Sequence, residues 1–294
     1  VGASLPAGIK IVDAHTHLFA PEVVADRRKH LERDAWFGEL YASPDIVLVT
    51  PDDMIASMDR AGIAVSIVCG WPWQDPGLCR EHNNFLAEVH RQYPDRIAWL
   101  AIVNPVAPGA PAEIERAAAM GACGVGEVNA DAQRFDWEQP TSMGAAVEAC
   151  LAADMPLMLH ASEPVGHRYL GKGTATPDRL LRFIVAFQEL RIVAAHWGGG
   201  LPFYELMPEV AAVTRNVTYD TAASTYLYRF DVFPAVERLV GHGRVALGSD
   251  YPLLKQTAFL KRVLDSGLPD DAIRGVLGET AARVYRLDER KITR

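Results

Sequence analysis

No run of about 18 consecutive apolar residues occurs in the chain, so no membrane-spanning segment is expected. Clusters of Lys and Arg are also missing, and the formal charge is −8 over 294 residues. Both facts argue against nucleic-acid binding, which draws its affinity from neutralised phosphates. Cysteine is sparse: Cys69, Cys79, Cys123 and Cys150 show no CxxC spacing. That argues against a disulfide framework and implies reduced thiols and a cytoplasmic location. The opening residues Val1-Gly2-Ala3-Ser4-Leu5-Pro6 hold neither a basic n-region nor an apolar h-region, so no signal peptide is expected. Internal repeats, low-complexity tracts and linkers are lacking too, and residues 1–294 are expected to form one domain. What remains is a globular balance, 49% hydrophobic and 22% charged, with ample material for a core.

Strand-like and helix-like stretches alternate along this material. Short runs rich in Val, Ile, Leu and Ala fall at 9–17, 63–69, 97–103, 123–128, 156–160, 191–196, 216–220 and 244–250. Few polar residues interrupt them, as expected of parallel strands buried on both faces. Between them lie helix signals. Thr50-Pro51-Asp52-Asp53 pairs a capping residue with proline at the first helical position, and Gly62 closes that helix. A helix from Pro111 ends at Gly121, Thr176-Pro177-Asp178 opens one through Glu189, and Pro269-Asp270-Asp271 opens one through Val284. Eight strand–helix units with right-handed crossovers predict an α/β fold, a (β/α)8 barrel, for which about 250 residues suffice. The stretch from Phe19 to Pro51 is too long for an ordinary connection and reads as a cover or small insertion. Residues 70–80, rich in Pro, Gly and Trp, read as another extended loop, and a third follows strand 5.

Polar residues collect at one end of these strands. In Val12-Asp13-Ala14-His15-Thr16-His17 the alternation of a strand puts Asp13, His15 and His17 on one face. Glu127 lies near the end of strand 4, His160 ends strand 5, His196 ends strand 6 and Asp250 ends strand 8. Four of the nine histidines thus sit at C-terminal strand ends, where a barrel places its active site. Histidines scattered through a core would not favour one end, so a metal site is expected.

The set DAHTH, GE, LHAS, AHWGG and GSDYP, in that order on successive strands, resembles the amidohydrolase superfamily. It is most similar to the amidohydrolase-2 branch, with its aminocarboxymuconate-semialdehyde decarboxylase-like proteins and dicarboxylate lactonases. The likeness runs to the terminal helix Val276–Tyr285, where Thr280 stands in place of the Asn of many relatives. It implies that His15, His17, His160 and Asp250 surround a divalent metal. His196 is implied as a ligand to a second metal or as a polarising, proton-handling group. Glu127 has two readings, a ligand bridging two ions or a carboxylate hydrogen-bonded to a ligand histidine. One ion or two therefore stays open; zinc suits the ligand set, with manganese or iron as alternatives.

Such a site implies a metal-activated water, with Asp250 as general base and His196 or the metal stabilising the oxyanion. Hydrolysis of a lactone, amide or ester in a small, carboxylate-bearing substrate is accordingly expected, and Glu127 favours it. Non-oxidative decarboxylation, with Asp250 protonating the carbon that loses CO2, is the alternative, and a catalytically silent scaffold is a third. Trp71 and Trp73 are candidates for an apolar wall. His167, Arg168 and Lys172 are candidates for binding a substrate carboxylate, and Asn104 and Tyr219 for lining the pocket. The oligomeric state is open, a homo-oligomer included.

Overall fold

A computed structural model describes residues 8–241 and 243–287; the signal-peptide expectation concerns residues outside that range. Eight strands form one sheet: β1 (Val12–Thr16), β2 (Val65–Val68), β3 (Ile97–Ala101), β4 (Gly124–Val128), β5 (Leu157–Leu159), β6 (Ile192–Ala194), β7 (Val217–Asp220) and β8 (Val245–Ala246). Each pairs in parallel with the next in chain order. The sheet closes on itself where the Ala14 amide donates to Leu247 O at 2.7 Å and the Asp250 amide to His15 O at 2.9 Å. This is the expected (β/α)8 barrel. All eight strands lie within the runs read from the sequence, each shorter than its run.

The helices begin where their caps are written. Thr50 Oγ1 accepts from the Asp53 amide and Asp53 returns a bond to the Thr50 amide, closing a capping box ahead of Pro51–Ala61. Such a cap is worth about 1 kcal/mol. Gly62 ends that helix in the left-handed region, at φ 71°. The helix at 177 runs Pro177–Ala186 and stops short of Glu189. The segment read as a loop over 70–80 turns helical at Pro76, because Asp75 caps Pro76–Gln92 through the Leu78 amide. The insertion after β1 folds into three short helices, Pro21–Ala25, Arg28–Arg33 and Ala35–Tyr41. Among the described residues no helix is long and apolar enough to cross a membrane.

Two apolar layers hold the barrel. Inside, Val12, Ala14, Ile67, Leu100, Met158 and Val193 pack together, with Val284 of the last helix, Thr280–Val284, and Tyr285 just after it among them. Outside, strand residues such as Val68, Trp99, Leu157 and Tyr219 pack against the helices. The alternation of β1 is not strict. Its register against β2 shifts between Asp13 and Thr16, and this irregularity separates Asp13 from the histidines it was expected to accompany. Asp13 accepts from Ser249 (amide and Oγ, 2.8 and 2.6 Å) and from Gln256 of the helix Gln256–Leu264 at 2.7 Å. Burial pushes its carboxyl up to about 6 against these donors.

Candidate metal centre

His15, His17, Glu127, His160, His196 and Asp250 meet at the C-terminal mouth of the barrel. His15 is fully buried, and its Nδ1 lies 2.7 Å from Asp220 Oδ2. Its Nε2 faces His17 Nε2 at 3.2 Å, Glu127 Oε2 at 3.4 Å and Asp250 Oδ1 at 3.9 Å. His17 Nε2 is 3.5 Å from Asp250 Oδ1. On the other side, Glu127 Oε1 lies 2.8 Å from His160 Nδ1 and 3.1 Å from His196 Nε2. Two triads of possible ligand atoms result, His15–His17–Asp250 and His15–Glu127–His196. They share His15, while His160 belongs to neither triad but lines the cavity beside Glu127 and His196.

Close packing holds these side chains in place. A Cβ on Gly248 would meet the His15 Cβ at 2.8 Å, and one on Gly199 would meet Ser162 O at 2.4 Å. Glycine is therefore required for the strand ends to approach so closely. His196 and Asp250 hold left-handed backbone themselves, at φ 55° and 61°. Such conformations are uncommon outside glycine and persist where the surroundings over-determine them. At His196 the restraint is visible: its amide donates to Asp220 Oδ1 at 2.9 Å.

Electrostatically the floor calls for positive charge. Burial opposes charging of His15, yet the Asp220 and Glu127 carboxylates outweigh it and hold its pKa well above the ordinary value. His196 is raised to about 9, because its bond to Glu127 overcomes the same burial. Burial would keep the Glu127 carboxyl protonated, but His15 and His160 hold it well below the usual range. His17 moves the other way, lowered by burial and by its neighbour His15. Imidazole nitrogens and carboxylate oxygens converging on one point suit a divalent cation of the first transition row. The donor set thus fits the metal that the sequence implied.

The floor opens into a cavity of about 520 Å³. Trp71 lines it, but Trp73 does not: it packs behind, 5.1 Å from the Phe37 ring. His167 reaches the cavity, whereas Arg168 is outside its lining. Lys172 is also outside, its ammonium bound to Val165 O at 2.7 Å and His167 O at 3.1 Å. Asn104 ties loops together by donating to Gln74 O and Gln133 O. Tyr219 points into the outer layer, where its hydroxyl donates to Glu205 at 2.6 Å. Its neighbour Asp220 faces the site, as alternation along β7 requires. Asp220 was missed by the sequence reading, although it ends a strand as His160 and His196 do. Trp36, Leu40 and Tyr41 of the insertion were missed as well.

Comparison with known proteins bears on this geometry. The sequence profile described as Amidohydrolase matches residues 12–287. The chain belongs to the amidohydrolase family. No curated protein is significantly similar to it in sequence. Solved structures share the fold of this family member. The 5-carboxyvanillate decarboxylase of Sphingomonas paucimobilis superposes with a TM-score of 0.78 at 20% identity, over 95% of this chain and 99% of that one. The Novosphingobium aromaticivorans enzyme of the same name, with manganese and 4-hydroxy-3-methoxy-5-nitrobenzoic acid, gives 0.77 at 18%, covering 95% and 96%. A 2,6-dihydroxybenzoate decarboxylase from Rhizobium gives 0.71 at 18%, covering 95% and 99%. These findings correct the expectation of a hydrolase, since the similar enzymes named here decarboxylate aromatic acids. Zinc gains no support from them either: the metal in the Novosphingobium complex is manganese.

Proposed function

We propose that this amidohydrolase-family protein is a metal-dependent, non-oxidative decarboxylase of an aromatic carboxylic acid. The observation that carries the reading is a His–carboxylate floor under an aromatic-walled cavity, on a barrel shared with decarboxylases of that class. His15, His17, Asp250 and Glu127 are the residues that would hold a divalent metal, with manganese favoured by the solved relatives. One ion suffices, because decarboxylation needs no hydroxide-generating pair. When bound, the metal supplies positive charge that fixes the substrate's oxygens.

The remaining work falls to the chain's own side chains. Trp71, Tyr41 and Trp36 line the cavity as an aromatic wall against which a flat ring packs, and they exclude water from the reacting carbon. Asp250 borders the cavity and relays a proton taken up from solvent to the ring carbon as that carbon's bond to the carboxylate breaks. The ring gains that proton, CO2 leaves, and no oxidant or reductant is consumed. Asp220 orients His15 through its Nδ1, and His160 and His196 hold Glu127 in place. The test is CO2 release by manganese-loaded protein from a panel of hydroxybenzoates, run beside lactones and amides. Release of CO2 with the matching phenol is expected; turnover of lactones or amides alone would refute the reading.

A further inference from the structure

The cavity is sharply polarised from floor to mouth. All its ligand-type groups but one imidazole and one acid, His167 and Asp45, lie on the floor already described. At the mouth stand Val47, Leu170, Tyr226 and Leu253, which are 59%, 64%, 54% and 53% exposed. They come from four separate segments, following β1, β5, β7 and β8, and border one opening. Scattered exposed apolar residues are ordinary, but four converging on the rim of a cavity mark a surface that a ligand covers. Among the described residues no Lys or Arg lines the cavity. Lys172, which follows the lining residue Gly171, spends its ammonium on two loop carbonyls. Asp45 adds negative charge at the rim. At about 520 Å³ the space falls in the range of roughly 300–1,000 Å³ that holds drug-sized ligands.

From this we infer, resting on the decarboxylase reading of the same site, that the substrate is an aromatic monocarboxylic acid bearing an apolar substituent at the end remote from its carboxylate. The single carboxylate meets the floor, the ring lies against the wall that Trp71 and Tyr41 form by packing on each other at 4.9 Å, and the substituent fills the collar of Leu170, Tyr226 and Leu253. A second carboxylate at that end would lose its hydration, find no Lys or Arg and face Asp45.

Calorimetric titration of the manganese-loaded protein with three acids tests this: 2-hydroxybenzoate, its 4-butyl derivative and its 4-carboxy derivative, with CO2 release followed in parallel. The butyl acid is expected to bind at least about tenfold tighter than the parent, since burying alkyl groups favours the complex. The 4-carboxy acid is expected to bind about tenfold more weakly than the parent. Leu170→Arg, at an exposed position, places a guanidinium at the mouth and is expected to reverse the order of the two derivatives. Equal or tighter binding of the 4-carboxy acid by the unaltered protein overturns the inference. If that acid also releases CO2, the decarboxylase reading survives. If the order holds but no acid releases CO2, the ligand class stands and the decarboxylase reading fails. Binding of none of the three overturns both.

Discussion

The two ends of the barrel both concentrate charge, and they handle it in opposite ways. At the N-terminal end a crevice is lined by Arg191, Arg215, Arg244, Arg283 and Arg286. Most of these guanidiniums are answered within the protein. Arg244 forms a two-pronged pair with Glu205 at 2.7 and 2.8 Å and donates to Thr214 O and Val217 O. Asp154 joins Arg191 and Arg286, and Arg283 donates to Gly243 O. At the C-terminal end, imidazole nitrogens and carboxylate oxygens face one another across 3 to 4 Å, and His17 Nδ1 and His196 Nδ1 are buried without a partner. Paired charges build a scaffold, whereas converging imidazole and carboxylate ligand atoms suit a divalent cation. Charge density alone therefore does not locate a site; the state of its pairing does.

The contrast can be broken from either end. Asp250→Asn keeps the size of the side chain and removes its proton chemistry, so CO2 release is expected to fall 10²–10⁴-fold, roughly the worth of a general acid or base. Circular dichroism should show the fold intact; an unchanged rate would remove Asp250 from the reaction. At the other end, Glu205→Ala leaves the half-buried Arg244 without its carboxylate. A loss of about 2 kcal/mol in unfolding free energy is expected, with kcat for the folded fraction unaltered. Loss of activity without loss of stability would mean that the N-terminal end is not mere scaffold. Asp220→Asn lies between the two cases, since Asp220 touches the site without facing the cavity. Manganese affinity, measured by competition with a chelator, is expected to weaken roughly 10–100-fold as His15 loses its orienting partner. Unchanged affinity would assign Asp220 to packing alone.

Legibility in the sequence followed the range of the interaction. Local rules placed the strands and the helix starts: the capping box at Thr50 and the proline–acid openings at 176 and 269 needed no knowledge of the rest of the chain. Strand ends could be counted, so His15, His17, Glu127, His160, His196 and Asp250 were brought to one face before any coordinates. The failures were of two kinds. Tyr219, a candidate for lining the pocket, packs in the outer layer while Asp220 faces the site, because which face of β7 points inward is decided by register against its neighbours. Asp13 was grouped with His15 because an irregularity in β1 is invisible to a pattern that assumes period two. Loop residues were worst: Trp73, Asn104, Arg168 and Lys172 were judged by type, while their contacts depend on how loops fold over one another. The expectation of hydrolysis from the ligand set fails for a related reason, because one ligand set serves both chemistries and the similar solved structures are decarboxylases.

What the sequence determined by itself was the barrel, its strand order, and a floor of histidines and carboxylates at the strand ends. Each follows from short-range patterning repeated eight times. Only the tertiary structure decided the pairing of His15 with Asp220, the separation of Asp13 from the site, and the apolar, cation-free collar. Those features include contacts between residues 205 and 236 positions apart, and their geometry is set by packing between elements rather than by any periodicity within one.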